Sequence, residues 1–269
     1  LITAMICVPA MATIYGGDSH TLNITGSTTV QPLMVELQKE FEKFADVKMN
    51  VTGGGSGVGV SSTLNGVADI GMLSRNLKGS EQGLGLVTHA IAKDAVVVIV
   101  NTSVGISDLS LQDLAKIYSG DYTNWSDGGL GGSGQIKVVA REEGSGTRDC
   151  FEAAFGSGFK MKERGVNSVN STGAVLAAVN STPGAIGYIN LNISADSYGS
   201  IAKVTVDGVE ATPRTISDGT YEISRELILV TNGEPTGMIE FFIDWILSTK
   251  GQDIIEKAGF VRIDGSECT

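Results

Sequence analysis

Three glycine-bearing turns in this sequence carry serine or threonine and run into helical patterns: Gly26-Ser27-Thr28-Thr29, Gly53-Gly54-Gly55-Ser56-Gly57, and Arg141-Glu142-Glu143-Gly144-Ser145-Gly146-Thr147. A helix N-terminus offers N–H groups with no intrahelical partner and the positive end of the helix dipole. Several converging would hold a compact oxyanion without a strongly basic protein. Arg141 adds the charge. It ends an apolar stretch that reads as a strand, where open α/β sheets bind ligands, and its planar fork matches two oxygens of one anion. Ser145, Gly146 and Thr147 follow with two hydroxyls and consecutive N–H groups. Each turn alone also has a plainer reading. Ser27, Thr28 and Thr29 suit an N-cap, Ser56 a solvated serine in a glycine turn, and Arg141 with Glu143 a surface ion pair. Neither of the first two turns continues into Gly-Lys-Ser/Thr, which disfavours a nucleotide P-loop.

Alternating strands and helices must position these turns. Residues 22–24 are β-prone, and 30–44 place Leu33, Met34, Leu37, Phe41 and Phe44 at the helical period. A strand at 49–52 and a helix at 58–64 flank the second turn, and the runs 68–72 and 95–100, apolar without alternation, suit strands buried on both faces of a parallel sheet. A second set follows: a helix at 111–118 capped from Ser107-Asp108-Leu109, a strand at 136–140, the Arg141 turn opening a helix through Phe155, a helix at 174–179 and a strand at 185–189. A strand at 226–230 and an amphipathic helix through Met238, Phe241, Phe242, Trp245, Ile246 and Leu247 close the chain. This is an α/β succession. We expect a first lobe from residues 13–102 and 192–269, and a second from 103–191.

Composition narrows the function class. The chain has 269 residues, enough for two lobes of roughly 100–150 residues each. Its 42% hydrophobic and 18% charged residues fit a globular protein. A net charge of −11 argues against nucleic acid and would slow an arriving anion, so affinity must come from neutral dipoles and few arginines in a dry cleft. Residues 1–12 are apolar except for Thr3, end in Ala10-Met11-Ala12 and read as a signal peptide truncated at its start, with a retained anchor or a lipidated Cys7 as the alternative. Export would leave Cys150 and Cys268, as a bridge or as two unpaired thiols. Sequons at Asn23, Asn50, Asn101, Asn124, Asn170, Asn180 and Asn192 fit an exported chain, though chance accounts for most of them. With His20 and His89 as the only histidines and no cluster at ligand spacing, neither a metal site nor a cofactor is expected. No Gly-x-Ser-x-Gly elbow supports a serine hydrolase, and Trp125 reads as a packed residue.

Read together, Gly26-Ser27-Thr28-Thr29-Val30-Gln31-Pro32, Gly54-Gly55-Ser56-Gly57, Asp69-Ile70-Gly71-Met72-Leu73-Ser74-Arg75, Arg141 to Arg148, and Pro183-Gly184-Ala185-Ile186-Gly187-Tyr188 resemble, in order, the PstS-like phosphate-binding proteins of phosphate ABC transporters. The resemblance spans about residues 21–264. It implies a two-lobed periplasmic-binding-protein type II fold with the ligand cleft between the lobes. It also implies a non-enzymatic, exported, monomeric protein that closes on inorganic phosphate and delivers it to permease subunits in the membrane. Carried over residue by residue, Ser27, Thr28, Thr29, Ser56, Ser74, Ser145, Gly146 and Thr147 would donate to phosphate, Arg141 would clamp it, and Glu143 would orient Arg141. Some members end the 69–75 segment in Ser-Asp, whose aspartate accepts the proton of hydrogen phosphate; this chain has Ser74-Arg75. Discrimination against sulfate then needs another acceptor, for which Asp94 is the candidate and Asp69 the reserve, while Arg75 would add charge at the site. Other readings are the same fold binding sulfate, molybdate or tungstate, a phosphate sensor without transport, and an exported phosphate-ester hydrolase.

Overall fold

The structure is a computed structural model and describes residues 20–192 and 198–263. Residues 1–19, with the expected signal segment and Cys7, and Cys268 lie outside the described residues.

Chain order alternates as the sequence suggests. β1 (His20–Gly26), α1 (Gln31–Phe41), β2 (Val47–Gly53), α2 (Ser56–Leu64) and β3 (Ile70–Leu73) come first, and the long strand β4 (Leu86–Asn101) follows. Next are β5 (Asp108–Leu109), α3 (Leu111–Ser119), β6 (Lys137–Arg141), α4 (Gly146–Ala153), β7 (Asn167–Val169), α5 (Thr172–Ser181), β8 (Ala185–Asn190), β9 (Ile201–Val206) and α6 (Pro213–Ser217). β10 (Ser224–Asn232), α7 (Gly237–Leu247) and α8 (Thr249–Lys257) complete the described chain. The strands form a continuous path β2-β1-β3-β10-β4-β8-β6-β7, with β9 also on β4 and β5 on β9.

β4 joins two separately packed lobes. Its first part pairs antiparallel with β10, and from Val96 onward it pairs antiparallel with β8 and then β9. In the first lobe, α1, α7 and α8 bury Leu33, Leu37, Phe41, Phe242, Ile246 and Ile255 against one sheet face. On the other face α2 packs Val60 against Leu73, Ile228 and Val230. In the second lobe, α3 and α4 pack Leu114, Tyr118 and Phe151 on one face, and α5 packs Val175, Leu176 and Val179 on the other. Trp125 is fully buried and donates its indole N–H to the Gly184 carbonyl, the packed role read from sequence.

Three expectations need correction. Both lobes have mixed sheets: β1, β2 and β3 are parallel to one another, but 95–100 lies in β4, antiparallel to each of its partners. The crossing falls near residues 93–95, and β9, Ile216, Tyr221 and Ile223 pack in the second lobe's core, so the chain returns at β10 rather than at residue 192. Ser110, not Ser107, caps α3, its hydroxyl accepting from the N–H of Asp113.

Helix α2 begins at Ser56, two residues before its expected start at 58, which puts that serine at a helix N-terminus. Gly59 lets α2 lie directly on the sheet: a Cβ there would fall 2.8 Å from the Met72 carbonyl oxygen and 3.2 Å from the Gly26 Cα.

Candidate anion site between the lobes

Helix starts from both lobes meet at the cleft. α1 and α2 approach from the first lobe, α4 and α5 from the second. Ser145 caps α4, its hydroxyl accepting from the N–H of Arg148, and Ser171 caps α5 by accepting from the N–H of Ala174. Ser27 sits in the turn ahead of α1, whose N-cap is Val30 with no side-chain cap bond, and its hydroxyl accepts from the N–H of Thr29 at 3.2 Å. The cap reading of Ser27, Thr28 and Thr29 therefore does not hold for α1, whereas the caps at Ser145 and Ser171 fix the starts of α4 and α5 at the cleft.

The hydroxyls form one buried group. Ser27 donates to Ser74 Oγ at 3.0 Å, and Ser56 Oγ lies 3.4 Å from Ser74 Oγ while accepting the N–H of Ser74. Across the cleft, Thr29 Oγ1 lies 3.0 Å from Thr147 Oγ1 and 3.4 Å from Thr172 Oγ1. The Gly57 N–H donates to the Gly144 carbonyl at 3.1 Å, a backbone tie between the lobes. Thr28 Oγ1 is buried with no hydrogen-bond partner among the described residues. Such an orphan is costly unless an acceptor or donor arrives.

Arg141 is the cation of this group. At the end of β6 it is 2% exposed, its backbone N–H donates to Tyr188 Oη, and its carbonyl accepts from Arg148. Nε and Nη2 donate to the two carboxylate oxygens of Glu142, each at 2.9 Å, and Nη1 donates to Thr172 at 3.4 Å. Glu142, not the expected Glu143, orients the guanidinium; Glu143 is exposed. The Glu142 N–H is tied to the Val169 carbonyl, which turns its side chain toward Arg141 and the next one toward solvent.

Three other expected site residues are engaged elsewhere. Asp94 is fully buried; its Oδ2 accepts from Arg225 Nε and Nη2 at 3.0 and 2.7 Å, and its Oδ1 accepts from the Leu191 N–H. Burial pushes its carboxyl up, while Arg225 pulls it back. Arg225 also donates to the Ser74 carbonyl, so the pair braces the crossing strands beneath the site. Asp69 accepts from the Asn23 N–H and clips β1 to the start of β3. Arg75 turns its guanidinium onto Glu81 and Asp149. Thr172 was not singled out in the sequence, although Ser171-Thr172 ahead of an apolar run is the same signal as the other turns.

No group of His, Cys, Asp and Glu among the described residues is placed to hold a metal ion. Cys150 is unpaired among them, and burial pushes its thiol up to about 11, which makes it unreactive.

Gly146 measures how tightly the lobes meet. A Cβ there would fall 2.7 Å from Ser74 Oγ and closer still to Ser56 Oγ. Gly146→Ala should leave the thermal midpoint unchanged, since each lobe's core is untouched, but weaken anion binding by about 1–3 kcal/mol, the usual cost of overpacking. Calorimetry on both proteins checks this; equal affinities would mean that binding does not bring these surfaces together.

Residues 12–250 match the PBP superfamily domain. The phosphate-binding protein PstS of Bacillus subtilis is 32% identical over 257 residues, covering 93% of this chain and 83% of that protein. PstS of Borreliella burgdorferi is 31% identical, covering 91% of each. Among solved structures, a Clostridium perfringens substrate-binding protein assigned to phosphate ABC transport and solved with bound phosphate superposes with a TM-score of 0.84 at 37% identity, covering 91% of this chain and all (100%) of that one. An ABC-type phosphate transport receptor from Vibrio cholerae gives 0.74 at 29% identity, covering 89% and 99%. The chain belongs to the PBP superfamily and, within it, to the family of PstS phosphate-binding proteins.

Proposed function

We propose that this chain is an exported solute-binding protein that closes on one inorganic phosphate and hands it to the permease of an ABC transporter. The observation that carries this reading is the buried meeting of Arg141 with hydroxyls and helix N-termini from both lobes. A small tetrahedral anion satisfies that environment: it offers acceptor oxygens in several directions to donors that now lean on one another. Ser27, Thr28, Thr29, Ser56 and Ser74 would serve it from the first lobe, and Arg141, Ser145, Gly146, Thr147 and Thr172 from the second. Because donors lie on both sides, the anion binds the closed state best, and closing buries it away from water, as in hinge-bending binding proteins.

The reading makes the protein a carrier without catalysis. No described helix is long and apolar enough to cross a membrane. Calorimetric titration in phosphate-free buffer with phosphate, arsenate, sulfate and molybdate tests the proposal. We expect one-to-one binding of phosphate, with arsenate close behind as its near-isostere, and no turnover of phosphate esters. Preference for sulfate or molybdate would reassign the ligand, and ester hydrolysis abolished by Arg141→Ala would reassign the class.

A further inference from the structure

Arg75 stands next to Ser74 in the first lobe, and Asp149 lies two residues beyond Thr147, in the first turn of α4 in the second. The two are in contact across the cleft: Arg75 Nε lies 2.8 Å from Asp149 Oδ2, and Lys78 Nζ reaches the same oxygen at 2.9 Å. Arg75 is 6% exposed and Asp149 21%. Glu81 holds the other side of the guanidinium, accepting from Nη1 and Nη2 at 2.7 and 2.8 Å. Arg75 also donates to the Asn76 carbonyl, so its position is fixed from within its own lobe before Asp149 arrives. Both Arg75 Nε and Asp149 Oδ2 are buried outside hydrogen-bond geometry, so charge attraction between the lobes is what draws them together. A cleft of about 520 Å³, lined by Arg75, Lys78, Asp149, Cys150, Glu222 and Arg225, opens beside the pair.

We propose that Arg75 and Asp149 form a charge latch between the lobes that holds the closed state and slows phosphate release. The inference rests on the phosphate reading above. The arrangement has a second effect on the anion. Asp149 places a carboxylate at the helix end that receives the phosphate, and Arg75 neutralises it when the lobes close. Opening separates the pair, exposes both charges to water and leaves the carboxylate to repel the anion on its way out. Both residues act through lobe position rather than by touching phosphate, so they are positioning residues.

Stopped-flow phosphate binding and release on the full chain tests this, with Asp149→Asn, Arg75→Gln, the double variant and Lys78→Met. Asp149→Asn should raise the dissociation rate about ten-fold and leave association nearly unchanged, since related variants differ mostly in off-rate. Arg75→Gln should release faster still, because it leaves the carboxylate with only the more exposed Lys78 as counter-charge, and the double variant should fall back to the Asp149→Asn rate, the non-additivity expected of contacting residues. Lys78→Met, at a half-exposed position, should give a smaller change in the same direction. Unchanged dissociation in properly folded Asp149→Asn, an equal loss carried by association, or additive singles would overturn the latch. A wild type that does not take phosphate would instead defeat the proposed function. Small-angle scattering of ligand-free protein reads the latch separately: Asp149→Asn should be more open than wild type, and equal curves would count against the latch.

Discussion

Arg141→Ala should weaken phosphate binding by about 3–5 kcal/mol, a rise in Kd of roughly two to three and a half orders of magnitude. The size follows from how the guanidinium is held. Of the five N–H donors of an arginine, Glu142 takes Nε–H and one on Nη2, and Thr172 takes one on Nη1. One N–H remains on each terminal nitrogen, carried by a side chain that is 2% exposed. Lysine offers a single point charge and cannot reproduce the fork, so Arg141→Lys should recover little of the loss. Folding should change less than binding, because Glu142 is partly exposed and can be rehydrated. Calorimetry and chemical denaturation on the same samples separate the two quantities. A small loss of affinity in Arg141→Ala would show that the anion binds elsewhere.

Asp94→Asn is the second large effect, and it concerns stability. The sequence made Asp94 a candidate acceptor for the phosphate proton, yet the structure commits it to Arg225 across the crossing strands, both side chains nearly inaccessible. An asparagine leaves the Arg225 guanidinium buried without its counter-charge, which costs about 3–5 kcal/mol when a buried pair is broken from one side. The denaturation midpoint should fall accordingly, while the ratio of phosphate to sulfate affinity stays as in wild type. A stable variant with altered selectivity would return Asp94 to the ligand.

The site was legible where it is local. A Gly-Ser/Thr turn between an apolar run and a helical period marks a helix start, and the turns at Ser27, Ser56 and Ser145 all proved to be such starts. Arg141 was readable because the apolar residues Val138, Val139 and Ala140 of β6 lead directly to it. What sequence could not supply were the partners of charges. Arg75, Asp94 and Asp69 each find theirs through folding, at Asp149, Arg225 and the Asn23 backbone. The exchange of Glu142 for Glu143 has the same cause: the chain leaves β6 at Arg141 and turns at Glu143 and Gly144, so strand alternation no longer says which carboxylate meets the guanidinium, and the bond of the Glu142 N–H to Val169 is made only on folding. The first half of β4 is hidden in the sequence because Thr88, His89, Lys93 and Asp94 interrupt its apolar pattern, and the crossing point is hidden with it. α8, whose apolar residues are Ile254 and Ile255 alone, and β9, six residues long, are too short in apolar positions to stand out in the sequence.

The central claim is that one anion is held between the two lobes by Arg141 and the starts of α1, α2, α4 and α5. A crystal structure of the protein grown with phosphate tests it most directly. The account predicts a single phosphate bonded by the Arg141 fork and by hydroxyl or N–H groups of both Ser27–Thr29 and Ser145–Thr147. Phosphate seated instead against Arg75, Lys78 and Arg225 in the neighbouring cleft, with Arg141 still bound only to Glu142 and Thr172, would contradict it.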